Sequence, residues 1–394
     1  MQVTSSNVID FEFDWGRDGF DCPTCNGGAG NSRLAYTDLV KNLWVAQVDF
    51  QTGGFLPANG KGELVDTLTA LATDFGNGPE WMFSSLGSQL VYTKYLPDQT
   101  PSPETAGLGL ATRGADGLWI PSLMEGGLKR QSPLGTQDVD DPQPRLHYQD
   151  IAKLKTFWRK ADRPKSEAKV PVSGFNGGGR RWVPGTRKII ITGNGTEGTL
   201  GDGFRQVYVY DTDTDALEQV TNEAANHVGA MMWSAPEFGG ELVFFSVRDG
   251  RQLVVHRKQA DASGSLKWGP VLTVSMPEAT PYVWSPEYFV HNGKSYIFFQ
   301  MNTTTDSSDL SKPNLLAMVG ILPENSGLTL LTPTNAPARV RMDPEYFITA
   351  KGPYIYYNRY KPATDTKPSI PEGVYRVDTR LGAPVTPLIP ASMR

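Results

Sequence analysis

The sequence predicts an all-β fold built from a repeated unit of four antiparallel strands. Three observations predict it: a Pro-Glu-aromatic phrase recurs, each copy is followed by an aromatic and β-branched run, and no long 3.6-residue stripe appears.

The phrase reads Gly78-Pro79-Glu80-Trp81, Ala235-Pro236-Glu237-Phe238, Ser285-Pro286-Glu287-Tyr288 and Asp343-Pro344-Glu345-Tyr346. A Gly-containing turn separates each copy from a strand-like run, 89–93, 241–245, 295–299 and 354–357 in turn. A second strand pair follows the same rule, as in 207–213 with 217–221, 43–49 with 63–67, 315–319 with 328–332 and 373–378 with 385–389. The two halves together make one blade of a β-propeller. Six blades are expected, at roughly 9–68, 74–132, 145–222, 228–277, 281–334 and 340–391, with a five-bladed arrangement as the alternative. The blades at 9–68 and 145–222 lack the Pro-Glu phrase and rest on the strand pairs 33–37 with 43–49 and 188–192 with 206–211. All 394 residues are assigned to a single propeller domain, with the polar, Pro- and Gly-rich stretch 133–182 read as a rim insertion or lid. Short helical turns are expected at 67–72 and 148–155.

Composition narrows the function classes. The abundant Gly (41) and Pro (30) suit many tight turns, and the net charge of −5 argues against a nucleic-acid partner. No apolar run is long enough to cross a bilayer as a helix, so no membrane partner is expected. The opening Met1–Asn7 lacks a signal-peptide pattern. The sequons at Asn194 and Asn302 nevertheless suit a secreted or secretory-lumen glycoprotein, with a cytoplasmic location as the alternative. Cys22 and Cys25 form a CxxC without a βαβ context or a second pair, which favours a local disulfide or idle thiols over redox or zinc chemistry. Nothing in the sequence speaks to oligomeric state.

The candidate chemistry sits near the phrase. If Pro-Glu opens the channel-lining strand of four blades, Glu80, Glu237, Glu287 and Glu345 converge on one axis. Three explanations compete: a structural Ca²⁺ held by oxygen ligands, a raised carboxyl pKa serving acid/base work, or glutamates that cap amides of the neighbouring blade. No cofactor is otherwise required. Trp81, Met232, Trp233, Trp284 and Met342 flank the phrase and suit either a hydrophobic small-molecule pocket or packing between blades. Among the four histidines, His227 is best placed to reach the channel. Arg181, beside Trp182, is a candidate anion or carbonyl binder, and Tyr282 a candidate hydrogen-bond donor. No phosphate-binding Gly loop, GxSxG, HExxH or EF-hand pattern occurs.

The segment Gln219–Gly250, with Trp233-Ser234-Ala235-Pro236-Glu237, resembles the TolB-like propeller repeat. The phrase together with Gly293–Phe299 is similar to the furanosidase propellers of glycoside hydrolases. Trp284–Tyr288 and Met342–Tyr360 resemble microbial and fungal propellers that include the hetero-Diels–Alderases of tropolonic sesquiterpene biosynthesis. That last resemblance implies a secondary-metabolism enzyme orienting a hydrophobic substrate at the channel mouth; no site residue is carried over from it, and the residues themselves offer Arg181, His227 and Tyr282 as candidate donors. A glycoside hydrolase or lyase using Glu237 and Glu287, and a non-catalytic binding propeller, are the alternatives.

Overall fold

The computed structural model describes residues 1–4, 8–14, 32–56, 62–69, 78–138, 140–150, 153, 155–173, 179–196 and 203–385. Cys22 and Cys25 lie outside them. The chain divides into two compact units, 1–170 with 345–358 and 371–394, and 171–344 with 359–370.

The first unit contains three antiparallel sheets. Sheet one joins β1 (Val8–Phe13), β2 (Ser32–Asp38), β3 (Leu43–Val48) and β4 (Phe55–Leu56) in order, and β5 (Glu63–Asp66) also pairs with β3. Sheet two runs β6 (Glu80–Ser84), β7 (Gly87–Tyr95), β8 (Ala106–Arg113) and β9 (Trp119–Leu123). Sheet three runs β10 (Arg130–Gly135), β11 (Arg145–Asp150), β12 (Lys155–Lys160) and β13 (Arg163–Lys169).

The second unit opens with a short pair, β14 (Val172–Ser173) with β17 (Gly195–Thr196). Sheet four is β15 (Arg180–Trp182), β16 (Lys188–Gly193), β18 (Gln206–Asp211) and β19 (Ala216–Gln219). Sheet five is β20 (His227–Ala235), β21 (Glu241–Arg248), β22 (Gln252–Ala260) and β23 (Leu266–Ser275). Sheet six is β24 (Tyr282–His291), β25 (Lys294–Asn302), β26 (Leu315–Gly320) and β27 (Thr329–Leu330). Sheet seven is β28 (Val340–Thr349), β29 (Gly352–Lys361) and β30 (Ile370–Asp378). Its last strand is extended by the N-terminus: Val3 N donates to Val374 O at 2.8 Å and Arg376 N to Met1 O at 2.9 Å.

Among the described residues, seven sheets of three or more strands replace the six blades expected and the five-bladed alternative. The stretch 133–182 is not a rim insertion, because β10–β13 make a complete four-stranded sheet across 130–169. The blade expected at 145–222 merged parts of sheets three and four. The region escaped notice because its outer strand reads Arg163-Pro164-Lys165-Ser166-Glu167-Ala168-Lys169, without the apolar alternation of a half-buried strand. The expected helical turns do not form among the described residues of those segments: 148–150 and 155 lie in strands, and 67–69 form a bend and a bridge.

Both faces of the inner strands are buried, which is why they read as apolar runs instead of alternating. In β20 and β21, Met232 and Phe244 pack with Ile190, Val207 and Val209 of sheet four. The next residue in each strand, Trp233 and Phe245, packs with Val283, Ile297 and Phe299 of sheet six. Sheets one and two meet likewise through Ala35, Leu43, Val45, Trp81, Phe83 and Leu90.

The recurring phrase does not occupy one structural place. The register of β24 breaks between Trp284 and Glu287, so Ser285-Pro286 forms a β-bulge, with Ser285 at φ 42°. A bulge tolerates proline because no ladder N–H is needed there. Breaks also occur at Ser132-Pro133 in β10 (Ser132 φ 51°) and at Gly229-Ala230 in β20 (Gly229 φ 58°). Asp343, before Pro344 in β28, has φ 51°. By contrast, Pro236-Glu237-Phe238 is a 3-10 turn after β20, and Gly78-Pro79 precedes β6. The four glutamates are therefore not equivalent, and the expectation that each opens a first strand holds only for Glu80.

In the second unit the first strands approach closely at these bulges. A Cβ on Gly179 (φ +83°) would lie 2.9 Å from Gly229 N, and one on Gly229 would lie 3.2 Å from Pro286 Cγ. Both the left-handed backbone and the contact require glycine at 229. Gly229→Val is expected to cost about 3 kcal/mol, from the left-handed penalty plus overpacking. An unchanged urea midpoint would refute the close approach.

Candidate functional site

The carboxylates of the phrase serve different ends. The backbone N–H and the Oγ–H of Ser295, in sheet six, both donate to Glu237, the hydroxyl at 2.9 Å. Ser295 Oγ in turn accepts from Trp233 Nε1 at 3.0 Å. Glu237 thus caps the neighbouring sheet, the third of the explanations weighed for these glutamates. Glu80 is half-buried at the start of β6, and Glu345 is buried in β28. Among the described residues no group of three or more His, Cys, Asp or Glu side chains is placed to hold a metal ion.

His227 lies at the centre of a buried network. Its Nδ1 is 2.8 Å from Ser246 Oγ and its Nε2 is 2.9 Å from Glu223 Oε1, while Arg248 Nη1 stands 3.2 Å from Glu223 Oε2. The order Ser-His-Glu has the connectivity of a nucleophilic triad. Ser246 and His227 are both 0 % exposed, however, so the hydroxyl faces no substrate. Burial holds the His227 pKa below its ordinary value against the opposing pull of Glu223. His256, 6.0 Å away between ring centres, is lowered to about 3, chiefly by burial. This network fastens the 221–226 connection to sheet five, and His227 does not reach a channel surface.

The proposed pocket walls divide. Trp81, Met232 and Trp233 are 2–3 % exposed and belong to cores between sheets, so they line no mouth. Trp81 Nε1 donates to Glu12 O at 3.0 Å, and Trp233 stacks on Tyr288 at 4.5 Å. Tyr282, Trp284 and Met342 are half-buried. Arg251 Nη2 donates to Tyr282 Oη at 3.1 Å, and Trp284 Nε1 donates to Thr304 O at 3.1 Å.

Two predicted site residues do meet. Arg181 Nη2 of β15 stands 4.0 Å from Glu287 Oε1 of β24, with side chains 38 % and 21 % exposed. Glu287 directly follows the Ser285-Pro286 bulge, and Arg181 lies two residues beyond Gly179. The convergence of these first-strand segments at Gly179, Gly229 and Pro286 brings the ion pair together across sheets four and six.

Other polar groups were missed by sequence reasoning. In β25, Gln300 Nε2 and Asn302 Nδ2 are buried without acceptors. A signal existed: the apolar triplets 243–245, 297–299 and 355–357 are each followed by a polar residue, Ser246, Gln300 and Asn358, and all three are 2 % exposed or less. Burial also bears on the sequons. Asn302 is 5 % exposed within a paired strand, which leaves no room for a glycan, and Asn194 is half-buried.

No protein-family model and no curated protein matches the chain. Among solved structures, the β-propeller domain of Myceliophteria thermophila Cps50 (Swd1) matches over 96 % of this chain and 97 % of its own, at TM-score 0.51 and 8 % identity. The chain is a β-propeller. Among the described residues, the seven sheets of three or more strands are its blades, and the short β14–β17 pair lies apart from that count. The Dos1 propeller matches at TM-score 0.47 and 10 % identity over 96 % of this chain and 93 % of its own. The Pseudomonas aeruginosa periplasmic gluconolactonase PpgL matches at 0.41 and 14 % over 94 % and 87 %. At these identities the likeness is one of fold, and propellers host both hydrolases and non-catalytic modules.

Proposed function

We propose that this propeller is a binding module for a small molecule that offers a carbonyl or carboxylate oxygen to Arg181 and a hydroxyl or N–H to Glu287. The observation behind this reading is the partly exposed pair itself, 4.0 Å apart on converging first strands. Both side chains reach solvent, and such an ion pair contributes only about 0–1 kcal/mol to stability. The planar guanidinium suits bidentate recognition of such an oxygen pair.

The remaining candidate groups support binding over catalysis. Glu237 is committed to Ser295, and His227 to Ser246 and Glu223, which removes the opposed carboxylates and the accessible base that hydrolysis needs. The runner-up is an enzyme of secondary metabolism that orients a hydrophobic substrate for a cyclisation of the hetero-Diels–Alder type. It keeps Arg181 and Tyr282 as donors to an activated oxygen. It loses Met232 and Trp233 as pocket walls, because both are buried between sheets.

Isothermal titration of a panel of 2-hydroxy amides, lactones and simple glycosides tests the proposal. Saturable binding is expected for at least one member, weakened about tenfold or more in Arg181→Gln and in Glu287→Gln. Mass spectrometry of the mixtures should show no product. Turnover of a panel member, or equal affinity in both variants, contradicts the binding-module reading.

A further inference from the structure

The tip of the β24–β25 hairpin carries a conclusion that does not rest on the Arg181–Glu287 pair. His291 pairs with Lys294, so Asn292-Gly293 makes up the whole turn. Both residues are left-handed, at φ 51° and 74°, as a two-residue hairpin of this twist demands. Asn292, Gly293 and Lys294 are all exposed, and a Cβ placed on Gly293 would meet no atom within 4 Å. Among the described residues the Gly293 N–H donates no hydrogen bond. The Asn292 side-chain Nδ2 lies 3.0 Å from Nε2 of His291, which is buried.

These features answer the needs of one reaction of asparagine, ring closure by the following backbone nitrogen. That nitrogen must be open to solvent so that it can give up its proton. The residue that carries it must not block the approach, and glycine has no side chain to do so. The backbone must also open briefly, which costs little at a hairpin tip and much more within a paired strand. Among the described residues the Asn-Gly step occurs once more, at Asn194-Gly195, in the opposite setting. Asn194 is half-buried and its N–H donates to Ser173 O at 2.9 Å, while Gly195 is buried and paired with Ser173.

We propose that Asn292 is a site of spontaneous deamidation, with water as the co-reactant. The Gly293 nitrogen loses its proton to solvent and bonds to Asn292 Cγ. The Cγ–Nδ2 bond breaks, and the side-chain nitrogen takes a proton from solvent and leaves as ammonia. Water then opens the cyclic imide, at Cγ to give aspartate or at the Asn292 backbone carbonyl to give isoaspartate. Nothing is oxidised or reduced. Aspartate replaces a donor facing His291 Nε2 with an acceptor-only carboxylate, so the contact persists only with a proton on that nitrogen. Isoaspartate adds a methylene to the backbone of a turn whose length sets the register of β24 and β25.

Incubation of the full-length protein in mildly alkaline buffer, followed by peptide mapping with mass spectrometry, tests the proposal. Synthetic peptides spanning 286–298 and 188–200 serve as unfolded references. Asn292 should convert at a rate within about tenfold of its peptide, and Asn194 about tenfold or more below its own. Labelling by an isoaspartyl methyltransferase should appear at 292 in the aged protein. Asn292→Gln lengthens the side chain by a methylene and disfavours ring closure, so conversion and label at 292 should be lost while Asn194 behaves as in the parent. Both rates are read on the parent protein, so the result does not depend on the variant folding. Arg181→Gln should age at the parent rate, which separates failure here from failure of the binding proposal. Survival of Asn292 for as long as Asn194, or for more than about tenfold longer than in its peptide, overturns the inference.

Discussion

Replacing Trp233 with alanine is expected to lower the unfolding free energy by about 4 kcal/mol. Three contributions add. The indole is 2 % exposed, so its removal leaves a cavity between sheets five and six. It stacks on Tyr288 at 4.5 Å, a contact worth about 0.5–1.5 kcal/mol beyond burial. Its N–H donates to Ser295 Oγ, whose own hydroxyl donates to Glu237, so the deletion also loosens the cap of sheet six. Trp233→Phe keeps most of the ring volume and should cost about half as much, because a buried hydrogen bond to Ser295 is lost. A urea midpoint for the alanine variant within about 1 kcal/mol of the parent would mean that Trp233 is not a core residue.

The second large effect is in acid. His256 is lowered to about 3 and His227 is lowered as well, burial being the leading cause for each. Both are neutral in the folded protein at pH values where the unfolded chain already binds a proton. The unfolded state therefore takes up more protons below the ordinary histidine value of 6.5, and stability rises with pH through that range. The His256 contribution is fully present above pH 6.5 and is lost as pH falls toward 3, at about 1.4 kcal/mol per pH unit, and His227 acts in the same direction. Urea midpoints measured from pH 8 to pH 4 should fall steeply below 6.5. His256→Phe, which can maintain the stacking on Phe244 at 4.6 Å, should flatten the slope by roughly one proton. A slope identical to the parent's would show that His256 titrates normally.

The repeat was legible because buried inner strands leave apolar triplets such as Val243-Phe244-Phe245 and Ile297-Phe298-Phe299, whichever sheet they belong to. The number of sheets was not. Sheet three keeps the Ser-Pro step at Ser132-Pro133 but follows it with Leu134, so a search on Pro-Glu passes over it. The phrase Ala-Pro-Glu-Phe at 235–238 matches the motif but sits in a turn after the strand, because proline suits a bulge and the first turn of a 3-10 helix equally well. Residue type identified Arg181 and Glu287 as site candidates, and they meet. It misplaced Trp81, Met232 and Trp233, since large apolar side chains serve a core and a pocket alike and only burial separates the two.

The pairing of the first residues with β30 has a kinetic consequence. Met1 N donates to Arg376 O at 2.9 Å across a separation of 375 residues. The edge of the last blade is thus completed by residues far from it along the chain. Loop-closure entropy rises only logarithmically with length, so the cost of this seam is modest at equilibrium. Contacts so distant in sequence are slow to find, however. Until this one forms, β30 presents an unpaired border to other chains.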